Sequence, residues 1–206
     1  EAHNNLGVML KEQGRLKEAE ASYSQAILLK PSFTEVHNNL GIIFTNLGRF
    51  EEAEESYRQA IALKPNFAEA HNNLGIIFTN LGRFEEAEAN YRQAVALKPN
   101  FAESYNNLGI MLKKLGRLEE AETSYTEAII LKPEPKYIEN RWELLFETGA
   151  YEEALKTSEF YNDEISKQHS LETLYALNRI EEVYQRIKIE SLVDSENIRT
   201  AAFSSF

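Results

Sequence analysis

Three histidines, His3, His37 and His71, recur at intervals of 34 residues and at first sight form a ladder of imidazole ligands. Zinc binds nitrogen at about 2.0–2.1 Å, whereas helices packed side by side lie roughly 8–10 Å apart. Equivalent residues of successive helices therefore cannot share one ion, and a packing role beside the neighbouring segment is the simpler reading. His169 stands alone. The pairs Glu51-Glu52 and Glu85-Glu86 offer two carboxylates each for general acid-base work. Both pairs open helical segments, where negative charge is favoured by the helix dipole. The Leu-Gly-Arg segments hold single glycines and not a phosphate-cradling Gly-rich loop. Trp142, with Tyr137, Phe146 and Tyr151, reads as packing, with partner docking as the alternative. The chain has no cysteine, hence neither a disulfide nor a thiolate metal site. No catalytic residue, metal or cofactor is expected, and the chain is read as a non-enzyme.

Charge narrows the partners. Against 22 Lys and Arg stand 33 Asp and Glu, a formal net charge of −11, which repels phosphate backbones and anionic lipid. Neither nucleic acid nor membrane is expected as a partner. No apolar run approaches the roughly 18 residues needed to span a bilayer. The opening Glu1-Ala-His-Asn-Asn5 lacks a basic start followed by an apolar stretch, and with the absence of cysteine this points to the cytoplasm.

The elements that must position these residues come from a repeat. An offset of 34 aligns Leu6, Leu40, Leu74 and Leu108, each followed by glycine. It also aligns Gly14, Gly48, Gly82 and Gly116; Ala19, Ala53, Ala87 and Ala121; Tyr23, Tyr57, Tyr91 and Tyr125; and Pro31, Pro65, Pro99 and Pro133. Segments 35–68 and 69–102 differ only at Val36/Ala70, Glu55/Ala89, Ser56/Asn90 and Ile61/Val95, as expected of a recent internal duplication. On a wheel of 100° per residue, His37, Leu40, Phe44 and Leu47 share an arc of roughly 80°, an amphipathic helix with one buried stripe. Ala53, Tyr57 and Ala60 form a seam on a second helix, whose small alanines admit close approach. Gly48 permits the positive φ just past the first helix, and Pro65 ends the second. Each unit is thus two antiparallel helices, and neighbours must stack to cover their apolar sides.

These residues resemble the signature of the tetratricopeptide repeat family, with His3, His37, His71 and Tyr105 in its usual tryptophan slot. The resemblance implies an all-α fold, a right-handed superhelical solenoid of antiparallel helix pairs. Four regular repeats are assigned to residues 1–133. Two degenerate pairs acting as a C-terminal cap are assigned to 134–193, because Gly149-Ala-Tyr-Glu-Glu-Ala154 echoes Gly116–Ala121 and Leu177-Asn-Arg-Ile-Glu-Glu-Val183 echoes it again, with Asn178 for the glycine. Residues 194–206 read as the start of a further helix or a linker to another domain.

The wheel places Glu35, Asn38, Asn39, Ile42, Thr45 and Asn46 within roughly 120°, away from the predicted core stripe. The face recurs as Glu69, Asn72, Asn73, Ile76, Thr79 and Asn80, and in part as Glu103, Asn106, Asn107 and Ile110, with Asn4, Asn5 and Val8 in the first copy. An asparagine amide both donates and accepts, so it can bond a peptide unit without reading its side chain. Within the family the first helix of each pair lines the concave groove, and Asn5, Asn39, Asn73 and Asn107 resemble the asparagine ladder in the repeat arm of O-GlcNAc transferase, which holds extended polypeptide. The candidate peptide-binding residues are therefore Asn4, Asn5, Val8, Asn38, Asn39, Ile42, Asn46, Asn72, Asn73, Ile76, Asn80, Asn106, Asn107 and Ile110. The competing reading is that this row only hydrates the groove or stabilises helix starts. A carboxylate clamp needs lysine or arginine where this chain has Glu35, Asn38, Glu69 and Asn72, and is rejected.

The expected function is a scaffold that holds an extended polypeptide in its groove. The alternative is a non-catalytic arm of a larger enzyme, an iron(II)/2-oxoglutarate oxygenase, glycosyltransferase or sulfotransferase; the segment Asp194–Phe203 weakly resembles a joint to such an oxygenase domain. End-to-end self-association of the array is a third reading.

Overall fold

The computed structural model describes residues 1–159, 164–179 and 182. Among them the chain forms helices without strands: α1 (Ala2–Glu12), α2 (Leu16–Leu29), α3 (Thr34–Asn46), α4 (Phe50–Leu63), α5 (Ala68–Asn80), α6 (Phe84–Leu97), α7 (Ala102–Lys114), α8 (Leu118–Leu131), α9 (Pro135–Glu147), α10 (Tyr151–Glu159) and α11 (Glu164–Ala176). It divides into two compact units, Glu1–Lys132 and Pro133–Phe206. Residues 194–206, expected to start a further helix or a linker to another domain, lie outside the described residues.

In the first unit α1 to α8 form four hairpins. Each bend carries its glycine at φ +72°, as at Gly48, where the Arg49 N–H reaches back to the Phe44 carbonyl at 2.9 Å and closes the end of α3. Each second helix stops before a proline: Lys64, which precedes Pro65, leaves the helical region at φ −143°, as the proline ring requires of the residue before it. Within a hairpin the helices meet at a notch. A β-carbon on Gly41 would stand 2.6 Å from the Tyr57 ring, so the ring occupies the space a side chain would need. The Tyr57 hydroxyl lies 3.1 Å from Thr45 Oγ1, which donates to the Gly41 carbonyl at 2.9 Å. Burial pushes the Tyr57 phenol up to about 12, against the Thr45 hydrogen bond. Ala53, Tyr57 and Ala60 are buried as the seam requires.

The first helices bury more than one stripe. Leu40 and Phe44 are in the core, but so are Val36 and Ile43, both without exposure, while His37 and Leu47 are only half-buried. The reason is the number of neighbours: α3 touches α4 of its own hairpin, α2 of the preceding one, and also α1 and α5. Helix α1 leaves Leu6 and Met9 exposed, at positions equivalent to the buried Leu40 and Ile43. Among the described residues of the first unit, the backbones of successive first helices approach one another and those of successive second helices do not. The unit therefore curves with α1, α3, α5 and α7 on its inner side.

The outer side is joined by long ionic side chains. Arg49 binds Glu20 of the preceding repeat at 2.8 Å as well as its own Glu52. Arg83 does the same with Glu54 and Glu86, both at 2.6 Å, and Arg117 with Glu88 at 2.5 Å and Glu120 at 2.7 Å. Hydrogen bonds from Arg49, Arg83 and Arg117 hold the Glu52, Glu86 and Glu120 carboxyls below the usual range, and Arg117 followed by Arg92 does so for Glu88.

The second unit keeps the repeat's turns but not its core. Gly149 has φ +78° and Asn178 φ +57°, and the Arg179 N–H reaches the Leu174 carbonyl at 2.9 Å as Arg49 reaches Phe44. Asn178 thus replaces the turn glycine in geometry as well as in sequence, using the tolerance of asparagine for this region. The Trp142 ring stacks on His169, with centroids 3.8 Å apart, and its Nε1–H donates to Thr173 Oγ1 at 2.9 Å. Tyr137 and Trp142 are buried, and Phe146 lies edge-on to Tyr151, so these aromatics pack within the unit.

Gly75→Ala should destabilise the chain by about 1–3 kcal/mol, the cost of overpacking, because a β-carbon there would stand 2.7 Å from Tyr91; urea unfolding followed by circular dichroism measures it. Acid should also weaken the fold. The lowered carboxyls of Glu52, Glu86, Glu88 and Glu120 contribute stability that is fully present above their ordinary value of 4.5 and is lost as pH falls below it through the folded-state values. The midpoint of thermal unfolding should hold between pH 6 and 8 and drop below about pH 4.5, with 1 M salt at pH 7 reproducing part of the drop.

Candidate functional site

On the inner side each first helix leaves a narrow stripe to solvent. In α3 it consists of Glu35, Asn39, Ile42 and Asn46, at i, i+4, i+7 and i+11, an arc of roughly 60°; the outer two are exposed and the inner two half-buried. The same stripe is Glu69, Asn73, Ile76 and Asn80 on α5, and Glu103, Asn107, Ile110 and Lys114 on α7. It begins with Glu1, Asn5, Val8 and Glu12 at α1. The expected face was twice as wide. Asn38, Asn72 and Asn106 lie in its flank and are buried, with 7, 1 and 5 % exposure. Asn4, their counterpart in α1, is half-buried, Asn5 is exposed and Val8 half-buried.

The buried asparagines bond the half-buried ones of the next repeat. Asn73 Nδ2 donates to Asn38 Oδ1 at 3.1 Å, Asn107 Nδ2 to Asn72 Oδ1 at 3.1 Å, and Asn39 Nδ2 to Asn4 Oδ1 at 3.4 Å. In the motifs 38/39 and 72/73 the two asparagines thus do different things: the first takes a hydrogen bond from the following helix, and the second gives one to the preceding helix while it stays half-buried on the inner side. An amide has two N–H groups and an oxygen with two lone pairs, so one bond from Asn73 Nδ2 leaves an N–H and the carbonyl oxygen for a ligand. The bond also fixes the side chain's rotamer, which lowers the ordering cost of binding.

The other candidate groups are placed elsewhere. His37 Nε2 lies 2.8 Å from the Pro31 carbonyl and His71 Nε2 3.1 Å from that of Pro65. These rings tie each first helix to the turn that precedes it. His71 also meets Asn90 Oδ1 at 3.2 Å through Nδ1. Among the described residues no three His, Asp or Glu side chains come together in a way that could hold a metal. The paired glutamates at the starts of α4 and α6 contribute Glu52 and Glu86 to the outer ion pairs. A cleft of about 380 Å³ lies between α4, α5 and α6, lined by Arg58, Ile61, His71, Phe78 and Ala89.

Sequence reasoning missed two features of the groove. The burial of Asn38 and its equivalents had a signal: Gly41, three residues on and about 60° away on the wheel, is the notch that takes Tyr57, so Asn38 flanks the face packed within the hairpin. The rim of glutamates along the helix starts was visible but was used only to reject a carboxylate clamp. Glu35 and Glu103 are exposed, and Glu69 pairs with Lys98 at 2.7 Å. Partial burial opposes ionisation of Glu69, yet the Lys98 bond keeps its carboxyl below the ordinary value.

A curved stack of glycine-notched helical hairpins with a repeated inner stripe defines a superhelical repeat solenoid. The family profiles agree: the TPR repeat matches residues 43–82 and 77–116, and the tetratricopeptide repeat matches 1–33 and 102–135. The chain belongs to the tetratricopeptide repeat family. No curated protein matches it in sequence. Among solved structures it is similar to PilF of Pseudomonas aeruginosa, with 20% identity and a TM-score of 0.77 over 93% of this chain and 90% of that one. PilW, described as a widely conserved type IV pilus biogenesis factor, gives 22% identity and 0.74 over 89% and 88%. MamA gives 21% and 0.66 over 85% and 96%. At these identities the likeness establishes the fold.

Asn72→Ala should destabilise the chain by about 1–3 kcal/mol, since it removes a buried acceptor and leaves Asn107 without its partner. Asn80→Ala, at an exposed position, should stay within about 0.5 kcal/mol. Parallel urea titrations of the two variants distinguish mortar from surface in the same helix.

Proposed function

We propose that the chain is a protein-binding scaffold that holds an extended polypeptide along the inner stripe of its first unit. The observation that carries this reading is the row of Asn39, Asn73 and Asn107, each fixed by one bond to the preceding helix and each with further donor and acceptor capacity facing the groove. Amides held at regular intervals suit a backbone, which offers N–H and C=O groups at regular intervals. Val8, Ile42, Ile76 and Ile110 add an apolar row beside them. PilW, named as a pilus biogenesis factor, supports the reading by analogy of fold, as a repeat protein that works in assembly.

The test is a variant with Asn39→Ala, Asn73→Ala and Asn107→Ala combined, compared with the native chain in pull-down and peptide-array binding. Binding should weaken by about 1 kcal/mol for each lost bond pair. The same substitutions remove the inter-repeat bonds, so stability should fall by about 0.5–1.5 kcal/mol for each, and binding is measured where circular dichroism reports both proteins fully helical. Equal binding by the two folded proteins overturns the reading.

A further inference from the structure

Resting on the groove reading above, we propose that the occupant is an extended segment of three-residue period, with an apolar side chain at every third position and a lysine or arginine at a fixed one of the two positions between. Three features of the inner side carry this: its spacing, its unspent amides and its charge.

Spacing comes first. The first helices touch one another and are joined by the 3.1 Å bonds from Asn73 to Asn38 and from Asn107 to Asn72, so their axes lie roughly 8–10 Å apart. The groove therefore presents one isoleucine, Ile42, Ile76 or Ile110, at each such step. A polyproline II segment rises about 3.1 Å per residue with three residues per turn, returning the same face every ~9.3 Å. A β-strand alternates faces about every 3.3 Å, so its repeat of roughly 6.6 Å falls out of step with the isoleucines after one level. An α-helix returns a face after seven residues, about 10.5 Å, and matches the spacing too. Its backbone groups, however, are already bonded within the helix, and the amides of Asn39, Asn73 and Asn107 would find nothing to bond. The polyproline II backbone makes no internal hydrogen bonds and fits both the step and the amides.

Charge settles what the other faces carry. Along each helix Glu35, Glu69 or Glu103 lies seven residues before the isoleucine, about 10 Å along the axis. This forms an acidic rim on one side of the apolar row, opened by Glu1. The opposite rim is Glu12, Asn46, Asn80 and Lys114, which sums to no net charge. In a chain of formal net charge −11, a segment whose apolar face rests on the isoleucines turns a second face toward the glutamates. A lysine or arginine there reaches the exposed Glu35 and Glu103, and at the level between them competes with Lys98 for Glu69; the third face remains toward solvent. About twelve residues in this conformation span the four levels.

Fluorescein-labelled peptides test the inference by anisotropy. The probes are five repeats of Ile-Lys-Pro and of Ile-Pro-Lys, which differ in the direction that meets the acidic rim. The controls are a peptide of the same composition with isoleucines at alternate positions, a heptad peptide that is helical alone, and an Ile-Glu-Pro peptide. One of the two period-three probes should bind at least about tenfold tighter than every control, a difference of about 1.4 kcal/mol. Its affinity should fall with salt and in a chain carrying Glu35→Gln and Glu103→Gln. Ile76→Ser should weaken it without moving the unfolding midpoint by more than a few degrees. Equal or tighter binding by the alternating or heptad peptide overturns the period, and equal binding by Ile-Glu-Pro overturns the charge; in either case the groove reading stands if the triple asparagine variant binds less. If no peptide distinguishes the triple variant from the native chain, the groove reading falls with it.

Discussion

A β-carbon at residue 41, 75 or 109 would stand 2.6 to 2.7 Å from the ring of Tyr57, Tyr91 or Tyr125. The missing carbon lets the tyrosine lie flat against the backbone of the first helix, and that approach fixes how the two helices of a hairpin cross. The alanines on either side, Ala53 and Ala60, are fully buried and extend the contact along the second helix. Once the hairpin is set, its first helix has apolar positions left over: Val36 and Ile43 are fully buried, whereas Ala2 and Met9, their equivalents in α1, are exposed. The neighbouring repeat covers them, and so the geometry of one glycine passes into the curvature of the array.

Curvature in turn decides which groups are mortar and which are surface. On the inner side the helices are near enough for short amides to bridge them, as Asn73 does to Asn38. On the outer side the gap is wider, and the links are arginine to glutamate, as Arg83 to Glu54 at 2.6 Å. Short side chains inside and long ones outside are what a bend of this hand demands. The outer pairs are partly exposed, and such pairs contribute little singly; each arginine instead joins two carboxylates, one in each repeat, so the links run the length of the unit.

Much of this was legible in the sequence. The offset of 34 residues places every helix start and turn of the first unit, and the alanine, tyrosine and proline positions take the roles their chemistry assigns. The echo at Leu177 gave the left-handed turn at Asn178. The groove face was half legible. A helical wheel divides a helix into one buried and one open side, which holds for a helix with one neighbour; α3 has four, so its open side shrank from roughly 120° to roughly 60° and Asn38 passed from surface to interior. The pairing of Trp142 with His169 was not legible at all. It joins residues of α9 and α11 that belong to no periodic pattern, and only the folded chain brings them to 3.8 Å.

The asparagine row carries a further consequence. In most binding sites the groups that meet a ligand and the groups that hold the site together are different side chains, so one set can change while the other stays. In the proposed groove binding Asn39, Asn73 and Asn107 serve both ends: one N–H binds the preceding helix, and the rest of the amide is left for the ligand. A ligand that bonds the amide oxygen polarises the same group and strengthens its remaining bond. On that proposal, occupancy of the groove and cohesion of the inner side are linked through single side chains, repeat by repeat. Replacing asparagine by aspartate would keep the size and lose the donor, breaking the link to the preceding helix while adding charge to an acidic rim. The residue that fits both tasks must be short, neutral and able to donate and accept at once, and among side chains of this length asparagine alone meets all of these demands.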